Sequence, residues 1–326
     1  MEAGRLRRTA LIGVGIATPP VPLAALAERH GGDVDAAARS SLVARLAPLE
    51  AAEAGDLTPL LARRYLARAL TSPAWLLVDA SLAPDVPAGR RWVHPHAAWA
   101  LAGVLGELEA ERFADRRRDA VIDAGAHVAA DARIGAGAVI MAGARVGAGC
   151  AIEPNAVVYP KVTLGARVRV GACAVVGRPG FGFAVGPGGD LRRMPQLGGV
   201  VVEDDVDIGP LCTVDAGTLG PTVIARGARL DAHVHVGHNV EIGQGTLVAA
   251  QSGFAGSVKV GSGVRVGGQA GFADHVRIGP GAQIAAKAGV IGDIRENTVV
   301  AGYPAIERGR WLRGVAQMLR VSARRK

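Results

Sequence analysis

The chain has 326 residues, 49% of them hydrophobic but only 4% aromatic, with 46 glycines and a formal charge of +8. That is length for about two domains and enough apolar material for a core, yet the scarcity of large side chains excludes a broad layered interior and favours a narrow one with many tight turns. The charge is concentrated at one end. Residues 304–326 carry Arg308, Arg310, Arg313, Arg320, Arg324, Arg325 and Lys326 against Glu307 alone. No zinc-finger spacing or aromatic-rich basic strand accompanies it, which argues against nucleic acid. An acidic protein partner, or at most peripheral contact with an anionic membrane, suits such a tail. Cys150, Cys173 and Cys212 are odd in number and form no CxxC pair, so a disulfide framework is excluded and a reducing cytoplasm is the simpler setting.

At the N-terminus, Arg5, Arg7 and Arg8 precede an apolar run, Thr9–Ala17, and Ala25-Leu26-Ala27 imitates a cleavage site. Pro19-Pro20 interrupt the run, however, and Leu23–Arg29 reads as an amphipathic helix, so residues 1–18 are expected to be a tail rather than a leader. No stretch reaches the ~18 apolar residues of a bilayer span. Residues 19–118 show no long-range period and read as a small α/β domain. Pro19–Gly32 and Ala97–Arg118 are predicted helical, Trp75–Val78 as a strand, and His30, His94, His96 and His127 as surface residues.

From residue 119 a six-residue period takes over. Starting at Ile122, every sixth position through Val176 is aliphatic, ten in succession; Val202, Ile208 and Val214 form a second register, and Ile224 through Val290 a third with twelve apolar residues, Phe254 and Phe272 among them. Gly follows the apolar residue in Ile134-Gly135, Val146-Gly147, Ile242-Gly243 and Ile278-Gly279. This is the hexapeptide signature of a parallel β-helix, in which three hexads close one coil and residues eighteen apart stack about 4.8 Å from each other. The glycines are expected to permit the corners. Helical periods do not fit. The fold class is therefore mainly β: a hexapeptide β-helix over 119–303, a small N-terminal α/β domain and a basic C-terminal helix over 304–326. Two interruptions, a long loop over 177–199 and a short insertion at Gly220-Pro221, are where ligands are expected to meet the solenoid. In Arg310–Ala323, Trp311, Leu312, Val315, Met318 and Leu319 fall near one helical face, suited to capping the solenoid, to oligomer formation or to partner docking.

His233, His235, His238 and His275 are the histidines of the repeat's second half. A metal site built from three imidazoles lacks its third ligand, because Leu197 stands 36 residues before His233. His238 and His275 are 37 residues apart, two coils plus one position, and are expected on one edge about 10 Å from each other. Gly256, one coil after His238, places a backbone N–H between them. A base, an unobstructed N–H and a second imidazole in line suit acyl transfer.

The stretch 177–243, with GRPGFGFA, MPQLGG, CTVDAGTL and LDAHVHVGHNVEIG, followed by GFAGSVKVGSGVRVGGQAGFADHVRIG and AGYPA, resembles the UDP-3-O-(3-hydroxyacyl)glucosamine N-acyltransferases of lipid A biosynthesis. The resemblance covers roughly residues 20–315. It implies a left-handed β-helix, a homotrimer with active sites between subunits, acyl carrier protein as donor (its acyl chain on phosphopantetheine, so no separate cofactor or metal), and a UDP-sugar acceptor. It implies His238 as general base, Gly256 as oxyanion donor and His275 as an assisting residue. Asp231 or Glu241 is left as the orienting carboxylate. Tyr65, Phe181, Phe183, Asp231 and Asn239 are the implied substrate contacts. The match departs at the uridine-binding run, where Thr58–Tyr65 keeps only Tyr65, with Pro59 for the stacking Phe and Ala62 for Asn. Asp-Arg-Gly becomes Asp215-Ala216-Gly217, Asp-Asn becomes Asp231-Ala232, and Asp274 replaces the glycine before His275, where its charge favours the imidazolium. A paralogue acting on another nucleotide-linked amino sugar is the alternative enzyme. A non-catalytic scaffold is the alternative class, and it gives no reason for His238, Gly256 and His275 to share an edge.

Overall fold

The computed structural model describes residues 15–112, 119–302 and 308–323. The arginines before Thr9, most of the run that follows them, the end of the Ala97–Arg118 segment, Tyr303-Pro304 and the last three basic residues lie outside these. The chain divides into two units, Met1–Phe113 and Ala114–Lys326.

The first unit holds β1 (Ile16–Pro22), α1 (Leu23–His30), β2 (Asp33–Val34), β3 (Leu42–Leu46), β4 (Leu57–Leu60), α2 (Leu66–Thr71), β5 (Trp75–Asp79), β6 (Arg91–His94) and α3 (Ala97–Arg112), with sheet order β1-β3-β4-β5-β6-β2. Pro19–Pro22 is strand, not the helix expected of it. Prolines cannot donate to a ladder, and β1 is an edge strand whose register shifts between Ala17 and Val21, the place where they are tolerated. β5 shows why this is a two-sided core. Leu77 faces a cluster with Leu23, Leu57, Trp92 and Val104, while Leu76 and Val78 face one with Leu60, Ala69 and Leu82. His94 is buried rather than on the surface: its Nδ1 accepts from the His96 N–H at 2.8 Å, which puts the ring proton on Nε2, 3.1 Å from the His30 carbonyl.

The second unit is a left-handed parallel β-helix of three sheets with nine, eight and nine strands. Most of the strands are two residues long, one pointing in and one out. Val139 stacks on Val121 and Val157, Arg145 on His127 and Thr163, and Ala151 on Arg133 and Arg169, so each column repeats at eighteen residues. We call the sheets the first, second and third face in that order. The inward aliphatics form one continuous core, with Ile134, Ile140, Val158, Val170 and Ile208 fully buried. Each such side chain contributes about 1.5–3 kcal/mol of hydrophobic stabilisation. Phe254 and Phe272 stack within it, ring centroids 4.5 Å apart and 13° from parallel.

The corners correct one expectation. The glycine after the aliphatic residue does not supply the left-handed turn. That conformation falls two positions later, at Gly137, Asn155, Cys173, His233, Asn239, Ser257 and His275, with φ between 59° and 70°. The glycine instead permits close stacking: a Cβ on Gly135 would stand 2.5 Å from Pro154 N, and one on Gly243 2.4 Å from Gly261 C. The interruptions also have structure. Within 177–199, Phe183–Val185 pairs antiparallel with Leu191–Arg193. Because the loop and the later insertion lengthen their coils, Val162 stacks on Val200 and Val200 on Thr222. The residue two coils before His233 is consequently Cys173, not Leu197. All three cysteines are free, Cys150 and Cys212 buried and Cys173 exposed. Burial pushes the Cys212 thiol up to about 11.

The C-terminal helix, α4, spans Arg308–Ala323, with Met318 and Leu319 exposed. No helix among the described residues is long and apolar enough to cross a membrane.

Candidate active site

His238 sits on the corner that closes the first face, directly after the strand His235–Val236. Its ring orientation follows from Asn239. The Asn239 Oδ1 accepts from the Thr218 N–H at 3.0 Å and its Nδ2 donates to the Gly220 carbonyl at 3.0 Å, so the amide cannot be reversed. The same Oδ1 lies 3.2 Å from His238 Nδ1. An oxygen that only accepts requires the proton on Nδ1, which leaves the Nε2 lone pair open. Asn239 itself occupies a corner at φ 60°, a conformation that asparagine adopts more readily than most residues, and its N–H is held by Thr222 Oγ1 at 2.8 Å. Neither Asp231 nor Glu241 orients the base. Glu241 bonds Lys259 Nζ at 2.8 Å, and Asp231 lies on the third face.

Gly256 is the next residue in the His238 column, since His235 pairs with Gly253. A Cβ there would stand 2.6 Å from both Cε1 and Nε2 of His238, closer than any real Cβ contact. The imidazole therefore rests on the space that glycine leaves. The coil-stacking bonds skip this residue: Ala255 N donates to Phe272 O and Ser257 N to His238 O. At comparable corners an acidic side chain takes the skipped N–H, as Asp204 does for Ala166 and Glu153 for Ala172. Among the described residues, nothing accepts from Gly256 N–H.

His275 is offset from this column. The Asn239, Ser257 and His275 amides form the left-handed corner row, with His275 N donating to Gly256 O at 3.0 Å, and Asp274 continues the His238–Gly256 row. His238, Gly256, Asp274 and His275 line one groove of about 770 Å³, with Phe181, Asp215 and His235 also among its walls. Its floor is the outward column of the first face, Gly253, Gly271 and Gly289, where an added methyl would meet nothing within 4 Å. Phe181 is largely exposed and meets Phe183 edge-on, centroids 5.2 Å apart.

Three contributors escaped the sequence reading. Asp215 is 1% exposed and lines the groove. Its Oδ1 lies 3.0 Å from Arg178 Nε, a contact close enough for charge but not aligned as a hydrogen bond, and its Oδ2 lies 3.8 Å from His235 Nε2. Burial raises the Asp215 carboxyl against the pull of His235, Arg178 and His238, and burial lowers the His235 imidazole against the pull of Asp215. Gln196 and Thr218 are the second omission, tying the long loop to the base: Thr218 Oγ1 lies 2.6 Å from Gln196 Oε1, and Thr218 N–H bonds the same Asn239 oxygen as His238. Pairing across the insertion creates these contacts, so linear spacing did not reveal them.

The remaining residues lie elsewhere. Asp231 belongs to a separate groove of about 900 Å³ on the third face. Tyr65 is in the first unit, on the turn Arg63–Tyr65, with the Arg64 guanidinium 4.8 Å above its ring.

The family model for the bacterial transferase hexapeptide (six repeats) matches residues 143–178. The solved UDP-N-acetylglucosamine acyltransferase of Campylobacter jejuni is similar at 28% identity and TM-score 0.50, over 56% of this chain and 69% of that one. The UDP-3-O-acylglucosamine N-acyltransferase of Caulobacter vibrioides (strain NA1000 / CB15N) is 51% identical over 162 residues, 50% of this chain and 48% of the relative. Alignments with several relatives of that name span only 24% to 48% of their length. The relative from Anaeromyxobacter dehalogenans (strain 2CP-C) differs, matching at 38% identity over 322 residues, 91% of this chain and 90% of its own. Identity sustained along nine-tenths of both sequences decides the assignment: this chain belongs to the UDP-3-O-acylglucosamine N-acyltransferase family of hexapeptide-repeat acyltransferases.

Proposed function

We propose that the chain transfers a 3-hydroxyacyl group from acyl carrier protein to the 2-amine of UDP-3-O-acylglucosamine in lipid A biosynthesis, with His238 as general base. The observation that carries this is the His238–Gly256 pair: an imidazole whose Nε2 lone pair is left open by Asn239, seated beside an N–H with no partner among the described residues. The amine attacks the thioester carbonyl as Nε2 takes its proton. The oxyanion receives the Gly256 N–H, and the proton then passes to the departing thiolate. Base assistance of this kind is worth about 10²–10⁴-fold, and a single oxyanion donor about 10²–10³-fold.

His275 and the glycine floor suit the pantetheine arm or the acyl chain, because a column without side chains leaves room for a linear ligand beside the base. Phe181 lines the same groove with Phe183 packed against its ring, and both are proposed as substrate contacts. Tyr65 is proposed for the uracil. Asp231 lies on the third face and does not line this groove. The basic α4 offers an acidic carrier protein complementary charge. No metal or redox cofactor enters the chemistry, and a cytoplasmic homotrimer is the assembly we assign.

The test is amide formation from 3-hydroxyacyl-acyl carrier protein and UDP-3-O-acylglucosamine, followed by mass spectrometry with His238→Ala alongside. Product from the wild type and a loss of about 100-fold or more in the variant is expected. Slow deacylation of the carrier without amide would instead indicate a different amino-sugar acceptor. Absence of both turnover and carrier binding would refute catalysis and favour a scaffold.

A further inference from the structure

Amide formation from an amine that arrives protonated releases two protons before the thiolate departs, whereas one imidazole accepts only one. The first must leave when R–NH₃⁺ becomes R–NH₂, and the second when the neutral nitrogen has bonded to the carbonyl. The groove contains a second polar pair beside His238 that the proposed reaction leaves without a task. The Asp215 carboxylate is sealed into the wall, with Oδ2 3.8 Å from His235 Nε2. That gap is too long for a hydrogen bond, but a third polar atom at hydrogen-bond distance from both can stand at its apex. The His235 Nδ1 is 2.7 Å from Thr213 Oγ1. A hydroxyl accepts from Nδ1–H or donates to bare Nδ1, so this bond survives a change of tautomer or charge.

We infer that the gap between Asp215 Oδ2 and His235 Nε2 is a subsite for the acceptor's ammonium group and takes its first proton, leaving His238 to take the second. This rests on the amine-acylating reading above. One N–H bond of R–NH₃⁺ breaks, its electron pair stays on nitrogen, and the proton passes through the half-exposed His235 ring to water. The free amine then forms the C–N bond while His238 Nε2 accepts the second proton and returns it to the thiolate as the C–S bond breaks.

The surrounding charges suit this role. Arg178, on the coil before, lies 3.0 Å from Asp215 Oδ1 and favours its anionic form without an aligned hydrogen bond to compete for it. Gly180 runs between Asp215 and His238, where a Cβ would stand 3.0 Å from Asp215 Oδ2 and 3.2 Å from His238 Cβ. The coil after His235 brings only Gly253 to the column, and Asp274 and His275 are the remaining titratable groups of the groove. Burial raises the Asp215 carboxyl, which makes it receptive to a donated proton, and lowers the His235 imidazole, which favours the neutral ring that passes that proton on.

The test compares wild type, Asp215→Asn and His235→Gln in the amide assay across pH. An amine with a pKa of about 8 is only about 3% neutral at pH 6.5. If the subsite captures and deprotonates the ammonium, both variants depend on that minor fraction. Their KM for the acceptor then rises about 30-fold at low pH, falls back about tenfold per pH unit, and meets the wild-type value above the amine pKa, with kcat little changed. A loss of the same factor at every pH, or no loss, overturns the subsite while leaving the proposed reaction intact. Absence of amide from the wild type removes both. Thermal melting checks the buried Asp215→Asn substitution, and should it unfold the protein, His235→Gln on a half-exposed ring decides alone.

Discussion

Substituting Gly256 with Ala isolates how the base is positioned. The residue has no positive φ, so its backbone accepts a side chain, and the only obstacle is the imidazole. A methyl 2.6 Å from Nε2 and Cε1 must be relieved to at least 3.4 Å for ordinary contact, so His238 has to retreat by close to an ångström. Its Nδ1 bond to Asn239 is already 3.2 Å and has little slack, so the retreat weakens the tautomer lock as well. A displacement of about 1 Å of a reacting group costs about 10²-fold in rate, which is about 2.7 kcal/mol of activation free energy. Initial rates of amide formation at saturating donor and acceptor measure kcat, and thermal melting measures stability in the same preparation. The expected pattern is kcat lowered about 100-fold with a melting temperature within a few degrees of wild type. Activity within threefold of wild type would refute the claim that glycine is there to seat His238. A large loss of stability would show that the methyl disturbs the coil rather than the ring.

Asn239→Asp keeps an oxygen acceptor at His238 Nδ1 and adds a negative charge, which favours the imidazolium. The base is then protonated at higher pH, so the acid limb of the kcat profile moves upward; a limb that stays in place refutes the tautomer assignment. Phe272→Ala removes one ring of the stacked core pair and is expected to cost about 3–5 kcal/mol in denaturant unfolding. Gly243→Ala drives a methyl against Gly261 C at 2.4 Å and is expected to destabilise by about 1–3 kcal/mol, whereas Gly245→Asn, at φ 64° with open space around it, is expected to cost less. In the first unit, Asp56 bonds Arg45 Nε and Nη2 at 2.9 and 2.6 Å and the Glu53 N–H at 2.7 Å. Burial alone would raise its carboxyl, but these bonds prevail and hold it below the usual range. Its contribution is present above the unfolded carboxylate pKa and lost as pH falls through the lower folded value, so the difference in stability between wild type and Asp56→Asn should shrink on acidification.

What the sequence disclosed and what it withheld divide along one physical line. The β-helix repeats with a period of six, so every residue between two interruptions has a computable neighbour, and the Gly256–His238 contact followed from adding eighteen. Across an interruption that arithmetic fails. Val162 meets Val200 and Thr213 meets His235, and the Cys173 column, the Asp215–His235 gap and the Gln196–Thr218–Asn239 chain all depend on those longer coils. The length of an expelled loop is free in a solenoid, because its ends are held one coil apart whatever lies between them. The hidden part of the groove is therefore the part that the interruptions build. Composition misled in a second way. Glycine after many of the aliphatic residues suggests a corner device but is a spacing device, since a period fixes position and says nothing of φ. Asn239 and His235 lie, like the base and its glycine, in segments that keep the repeat, whereas Arg178, Gln196, Thr218 and Gly220, which contact Asp215 and Asn239 or their partners, come from segments next to or within its interruptions. A regular scaffold places His238, Gly256 and the Asn239 amide beside one another, and the interruptions supply the contacts that hold that amide in its orientation.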